Sequence, residues 1–112
     1  SRLFRSRLTG MLANLNIQAL EAEDGRQALE LLAQNDDVRR VITDYNMPNL
    51  DGIGLIKGIR AQAAYKFIPV VMLTTESQAG KKAEGKSAGA TGWIVKPFTP
   101  DQLLAVVKKV LR

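Results

Sequence analysis

The sequence predicts an α/β fold built on a doubly wound parallel sheet, and three observations carry that prediction. Strand-like apolar runs alternate with segments of helical periodicity along the chain. One run, Pro69-Val-Val-Met-Leu-Thr74, is apolar through its middle, as a strand covered on both faces would be. The 112 residues are 46% hydrophobic, which suits one domain with a core of its own.

The elements follow in order. Leu3, Phe4, Leu8, Met11, Leu12 and Leu15 recur at helical spacing, predicting an amphipathic helix over residues 2–14. Ile17 to Glu21 reads as a strand. Asp24 is placed to cap a helix with Gln27 at the reciprocal position, and Ala28, Leu31 and Leu32 form its apolar face. A strand is expected from Val38 to Thr43, then a loop, Asp44 to Leu50, containing Met47-Pro48. Asp51-Gly52 begins a helix striped by Leu55, Ile56 and Ile59. After the strand at 69–74 comes a short polar helix, Ser77 to about Ser87, weakened by Gly80 and Gly85 and ending near Gly89. A strand at 92–95 follows. Thr99-Pro100-Asp101-Gln102 combines an N-cap, a first-position proline, an acid and a reciprocal glutamine. It opens a last helix reaching about Leu111 on Leu103, Val107, Val110 and Leu111.

Composition removes several function classes. With no Cys and no His, disulfides, zinc fingers, thiol nucleophiles and histidine acid–base chemistry are excluded, and any metal is a hard cation on oxygen ligands. No apolar run nears the ~20 residues of a membrane span, and Ser-Arg-Leu-Phe-Arg is not a signal peptide. The net charge of +5 is scattered, with no basic stripe interleaved with aromatics, so a solvated surface explains it better than nucleic-acid binding. Gly80 to Ser87, GKKAEGKS, matches the phosphate-loop pattern of nucleotide-triphosphatases letter for letter. Its context is wrong: Thr75 to Ala79 separate it from the preceding strand, and Gly89 and Gly92 block the helix that must follow.

In a parallel sheet of this kind the ligand site lies at the carboxyl ends of the strands. Those ends carry Asp44, then Thr74-Thr75-Glu76, then Lys96-Pro97. A carboxylate, a hydroxyl and an ammonium on one edge form a candidate anion or phosphoryl site: nucleophile, donor and positive clamp.

The same residues carry a resemblance. TDYNMPNLDG (Thr43 to Gly52), VVMLTTES (Val70 to Ser77) and GWIVKPF (Gly92 to Phe98) resemble the receiver domain of bacterial two-component response regulators, the stand-alone chemotaxis type above all. The resemblance implies a flavodoxin-like receiver fold over residues 1–112 and a signalling phosphoprotein in the cytoplasm. Its only chemistry would be self-catalysed phosphotransfer and autodephosphorylation. By position, Asp44 is implied as phosphoacceptor from a sensor histidine kinase. Mg²⁺ is implied as cofactor on Asp44 and the backbone carbonyl of Asn46. Lys96 would pair with the phosphoryl group, Thr74 would move in to bond it, and Trp93 would follow as the switch aromatic. Asn46 and Glu76 would tune dephosphorylation, and the Lys96–Pro97 peptide would be cis. The output protein would bind a face formed by residues 77–112, without nucleic acid or membrane insertion.

The sequence departs from the family at its start. Ser1 stands where the family's first and central strand, with its acidic pair, would have ended. The expectation is an N-terminally incomplete receiver, whose strands at 17–21 and 38–43 are left roughly 10 Å apart. Two rivals follow: a phosphate-independent interaction domain, and a haloacid-dehalogenase-like phosphatase. The second needs an acid two residues past its nucleophile, where this chain has Asn46.

Overall fold

The computed structural model describes residues 10, 12–13, 20–35, 37–45, 50–75, 80 and 82–110. Their elements run α1 (Gly25–Gln34), β1 (Val41–Asp44), α2 (Gly52–Ala61), a 3-10 turn (Ala63–Tyr65), β2 (Val70–Thr75), α3 (Lys82–Ala88), β3 (Gly92–Lys96) and α4 (Pro100–Val110). The three strands are parallel in the order β1-β2-β3. Strand–helix–strand connections with helices on both faces confirm the doubly wound, flavodoxin-like class.

The boundaries correct several expectations. β1 begins at Val41 instead of Val38, because its ladder starts where Val41 N–H donates to the Pro69 carbonyl at 3.0 Å. β2 begins only after Pro69, and residues 38–40 lie outside the sheet. Of the strand expected at 17–21, residues 17–19 lie outside the described residues, and Leu20 and Glu21 lie outside the sheet. Of the helix expected at 2–14, Gly10, Leu12 and Ala13 are described and helical. α3 starts at Lys82; residues 76–79 and 81 lie outside the described residues.

The helix ends follow local chemistry. Asp24 accepts from Gln27 N–H at 2.9 Å, while the Gln27 side chain reaches back to Glu23 N–H, one residue earlier than a strict capping box. Asp51 accepts from Gly54 N–H at 2.8 Å. Thr99 and Gln102 make both halves of the expected box, at 2.8 and 3.2 Å. α3 closes with two bonds, Ala90 N–H to Gly85 O at 3.0 Å and Gly89 N–H to Lys86 O at 3.1 Å. This pairing is a Schellman motif, and it places Gly89 at φ +115°, where a side chain would be strained.

The sheet divides the core in two. On one face Leu32, Ile53, Leu55, Ile56, Ile59, Tyr65, Val70 and Met72 cluster, with Ala28 and Leu29 of α1 packed against them. Leu29 thereby joins a face on which the sequence placed Leu31. On the other face Leu12, Val71, Leu73, Ile94 and Leu103 cluster. Central β2 is buried from Val70 to Thr74 and supplies alternate side chains to each face, as its unbroken apolar run predicted.

Arg60 ties the first face together. Its guanidinium donates to the Gly89 carbonyl from Nε (3.2 Å) and Nη2 (2.7 Å), and from Nη1 to Ile68 O (2.6 Å) and Tyr65 O (3.3 Å). Desolvation by burial lowers its pKa from the ordinary arginine value. Among the described residues no helix is long and apolar enough to cross a membrane.

Candidate functional site

The parallel register decides which side chains meet. Asp44, the last residue of β1, lies opposite Leu73; Lys96, the last of β3, lies opposite Thr75. Both charged side chains reach past β2 at its carboxyl end. There the Lys96 ammonium forms an ion pair and hydrogen bond with Asp44 Oδ1. The side chains are 29% and 21% exposed, so the pair is wet enough that its net contribution to folding stays at or below about 1 kcal/mol. A carboxylate and an ammonium held together for so little stability are available for chemistry.

The backbone under Asp44 is tightly built. Tyr45 N–H continues the ladder to Leu73 O at 3.0 Å, and Gly52 N–H returns to Tyr45 O at 2.8 Å. A Cβ on Gly52 would lie 2.6 Å from the Asp44 carbonyl oxygen and 3.0 Å from Tyr45 Cα. Only glycine lets α2 start this close to the strand end. The Thr43 hydroxyl donates to the same Asp44 carbonyl at 3.0 Å.

Thr74 is 2% exposed, and its Oγ1 has no hydrogen-bond partner among the described residues. Buried hydroxyls are normally satisfied, so an orphan at a strand end beside the Asp44–Lys96 pair calls for a functional explanation. Trp93 lies opposite Met72, half-buried against the first core cluster, with Lys82 Nζ 5.1 Å from its ring centroid. The Lys96–Pro97 peptide is cis, as expected. Asn46 and Glu76, expected as tuning residues, lie outside the described residues. No group of three or more acidic, His or Cys side chains that could hold a metal occurs among the described residues. GKKAEGKS is not a phosphate loop: α3 starts inside it at Lys82, and Gly89 ends that helix soon after the Lys-Ser where a phosphate-binding helix would begin.

Two residues escaped the sequence reading. Arg60 sits one turn beyond Ile56 on an apolar helix face, a signal that could have marked it. The Lys82–Trp93 contact joins residues eleven apart in sequence and had no such signal.

A doubly wound α/β fold with an aspartate–lysine pair at its strand ends belongs with the open parallel-sheet domains whose site lies at the carboxyl edge of the sheet. Within that class the assignment is specific. The family model of the response regulator receiver domain matches residues 1–108, and the chain belongs to that family. It is 44% identical over 92 residues to a "Chemotaxis protein CheY homolog" of Campylobacter jejuni, covering 82% of this chain and 71% of the relative. It is 42% identical over 92 residues to "Chemotaxis protein CheY1" of Helicobacter pylori, covering 82% and 74%. The solved structure of Vibrio cholerae chemotaxis protein CheY4 superimposes with a TM-score of 0.91 at 41% identity, covering 98% of this chain and 91% of that one. The chain is thus a CheY-like receiver domain, a two-component signalling module and not an enzyme of the usual kind.

Proposed function

We propose that Asp44 is the phosphoacceptor of a phosphorylation-controlled switch, and that Thr74 and Lys96 are the groups that hold the phosphoryl product. The observation that carries this reading is the buried Thr74 hydroxyl, without a partner among the described residues, at the same sheet edge as a carboxylate already facing an ammonium. A phosphoryl group on Asp44 supplies an acceptor oxygen for that hydroxyl and a second for Lys96. In the transfer an Asp44 carboxylate oxygen attacks phosphorus, the P–N bond of a kinase phosphohistidine breaks, and the imidazole leaves with its electron pair and takes a proton. Such transfer needs positioning and charge neutralisation more than covalent chemistry on the protein. Lys96 supplies a fixed positive charge, and the tight Gly52 contact holds the Asp44 backbone in place.

The donor chemistry fits Mg²⁺: the Asp44 carboxylate and the Asn46 backbone carbonyl, both hard oxygen ligands, would hold it. When bound, it would supply positive charge that eases the approach of the phosphoryl group to the Asp44 carboxylate. The donor is a sensor histidine kinase, in the cytoplasm. Thr74 and Trp93 relay the change to an output protein on the face formed by residues 77–112, while Asn46 and Glu76 set the lifetime of the acyl phosphate.

The test uses Trp93, the only tryptophan. Mg²⁺ and then beryllofluoride, an acyl-phosphate mimic, are titrated while fluorescence and far-UV circular dichroism are recorded. A saturable change in the folded protein, lost in Asp44→Asn, is the expected result. A folded wild type that does not respond would leave a phosphate-independent interaction domain as the reading.

A further inference from the structure

The helix that follows the site is tied down at its carboxyl end. At its carboxyl end, the α3 Schellman turn is locked by two Arg60 hydrogen bonds to Gly89 O. Gly85, in the middle of the helix, is buried against Met72 and Ile53, where a Cβ would meet Met72 Cε at 3.4 Å and Ile53 Cδ1 at 3.5 Å, in ordinary van der Waals contact. Thr91, just beyond, is stitched to β2 by Thr91 N–H to Val70 O (2.8 Å) and Val70 N–H to Thr91 Oγ1 (3.0 Å). At the amino end Lys82, the first residue of α3, rests its ammonium over the Trp93 ring at 5.1 Å. With the carboxyl end of α3 held by Arg60, a shift of Lys82 relative to β3 disturbs that contact.

We infer that Lys82 is a positioning residue that latches Trp93 in the resting arrangement, so that the cation on α3 sets how readily the switch is thrown. The inference rests on the phosphoacceptor reading above. A cation–π contact between partly exposed groups biases a two-state equilibrium by about 2- to 30-fold. Lys82 is suited to the task because its long stem lets the ammonium lie on the ring while Cα stays on the helix. Among the described residues it is the cation over the tryptophan face, and replacing it leaves the Arg60 anchor untouched.

The experiment compares wild type with Lys82→Met, which keeps the stem and helix propensity but not the charge, and Lys82→Arg, which keeps a cation. Far-UV circular dichroism confirms that each is folded. Beryllofluoride is titrated in saturating Mg²⁺ with Trp93 fluorescence as readout. The latch predicts that Lys82→Met lowers the half-saturating concentration by about 2- to 30-fold, with Lys82→Arg near wild type. The sign discriminates. If Lys82 merely attracted the anion through space, removing it would raise the half-saturating concentration. An unchanged or raised value in Lys82→Met, with wild type responding, overturns the latch and leaves the phosphoacceptor reading standing. A folded wild type without any response overturns both.

Discussion

Replacing Thr74 by Val separates what the hydroxyl costs the fold from what it does for the site. Valine has nearly the shape of threonine, so packing around this 2%-exposed position is conserved. What changes is a buried hydroxyl with no partner among the described residues. Leaving such a group unsatisfied costs about 1–3 kcal/mol, so Thr74→Val should be more stable than wild type by that amount. For 112 residues the entropy of unfolding is about 0.24 kcal/mol/K, so the midpoint should rise by roughly 4–13 °C. Thermal denaturation followed by far-UV circular dichroism measures the shift, with a urea titration checking that the slope m is unchanged. The same variant should bind beryllofluoride about ten- to a hundredfold more weakly, having lost one hydrogen bond to a charged group. Stability and response should move in opposite directions. A Thr74→Val protein that melts below wild type would mean the hydroxyl is satisfied in the folded state, and the argument that it waits for a phosphoryl oxygen would fail.

Two further outcomes test the surroundings of the site. Gly52→Ala should lower stability by about 1–3 kcal/mol, because the new methyl meets the Asp44 carbonyl at 2.6 Å, whereas Gly80→Ala, with nothing within 4 Å, should be neutral or slightly stabilising in the same thermal melts; equal melting of the two would refute the close-approach account. Arg60→Met should cost about 2–4 kcal/mol in urea denaturation, since carbonyls of Gly89, Tyr65 and Ile68 lose their donor together, and Arg60→Lys should recover only part of it because one ammonium cannot reach all three.

What the sequence made legible was whatever is governed by local chemistry or by period. The capping residues Asp24, Asp51 and Thr99 each hold the helix start they were assigned. The apolar run at 70–74 is the buried central strand. The carboxyl-end rule for parallel strands brought Asp44 and Lys96 to one place, although they are 52 residues apart. What escaped was set by partners distant in sequence. The start of β1 is dictated by Pro69 across the ladder, and nothing near Val38 reveals that. Gly85 reads as a weakness in a helix when taken alone; the structure shows it as a buried position packed toward Met72 and Ile53. Arg60 reads as a surface charge until its four bonds to backbone carbonyls are seen.

The two-sided core has a consequence for redesign. Because neighbouring residues of β2 feed opposite clusters, the sheet acts as a partition. A change of side-chain volume at Ile56 or Ile59 must be absorbed among α1, α2 and the turn at Tyr65; one at Ile94 or Leu103 must be absorbed against Leu12 and Phe98. Among the described residues, the two compartments meet across the backbone of the strands. Each can therefore be repacked as a separate volume, with the strand-end groups serving as the common boundary that both repackings must leave where it is.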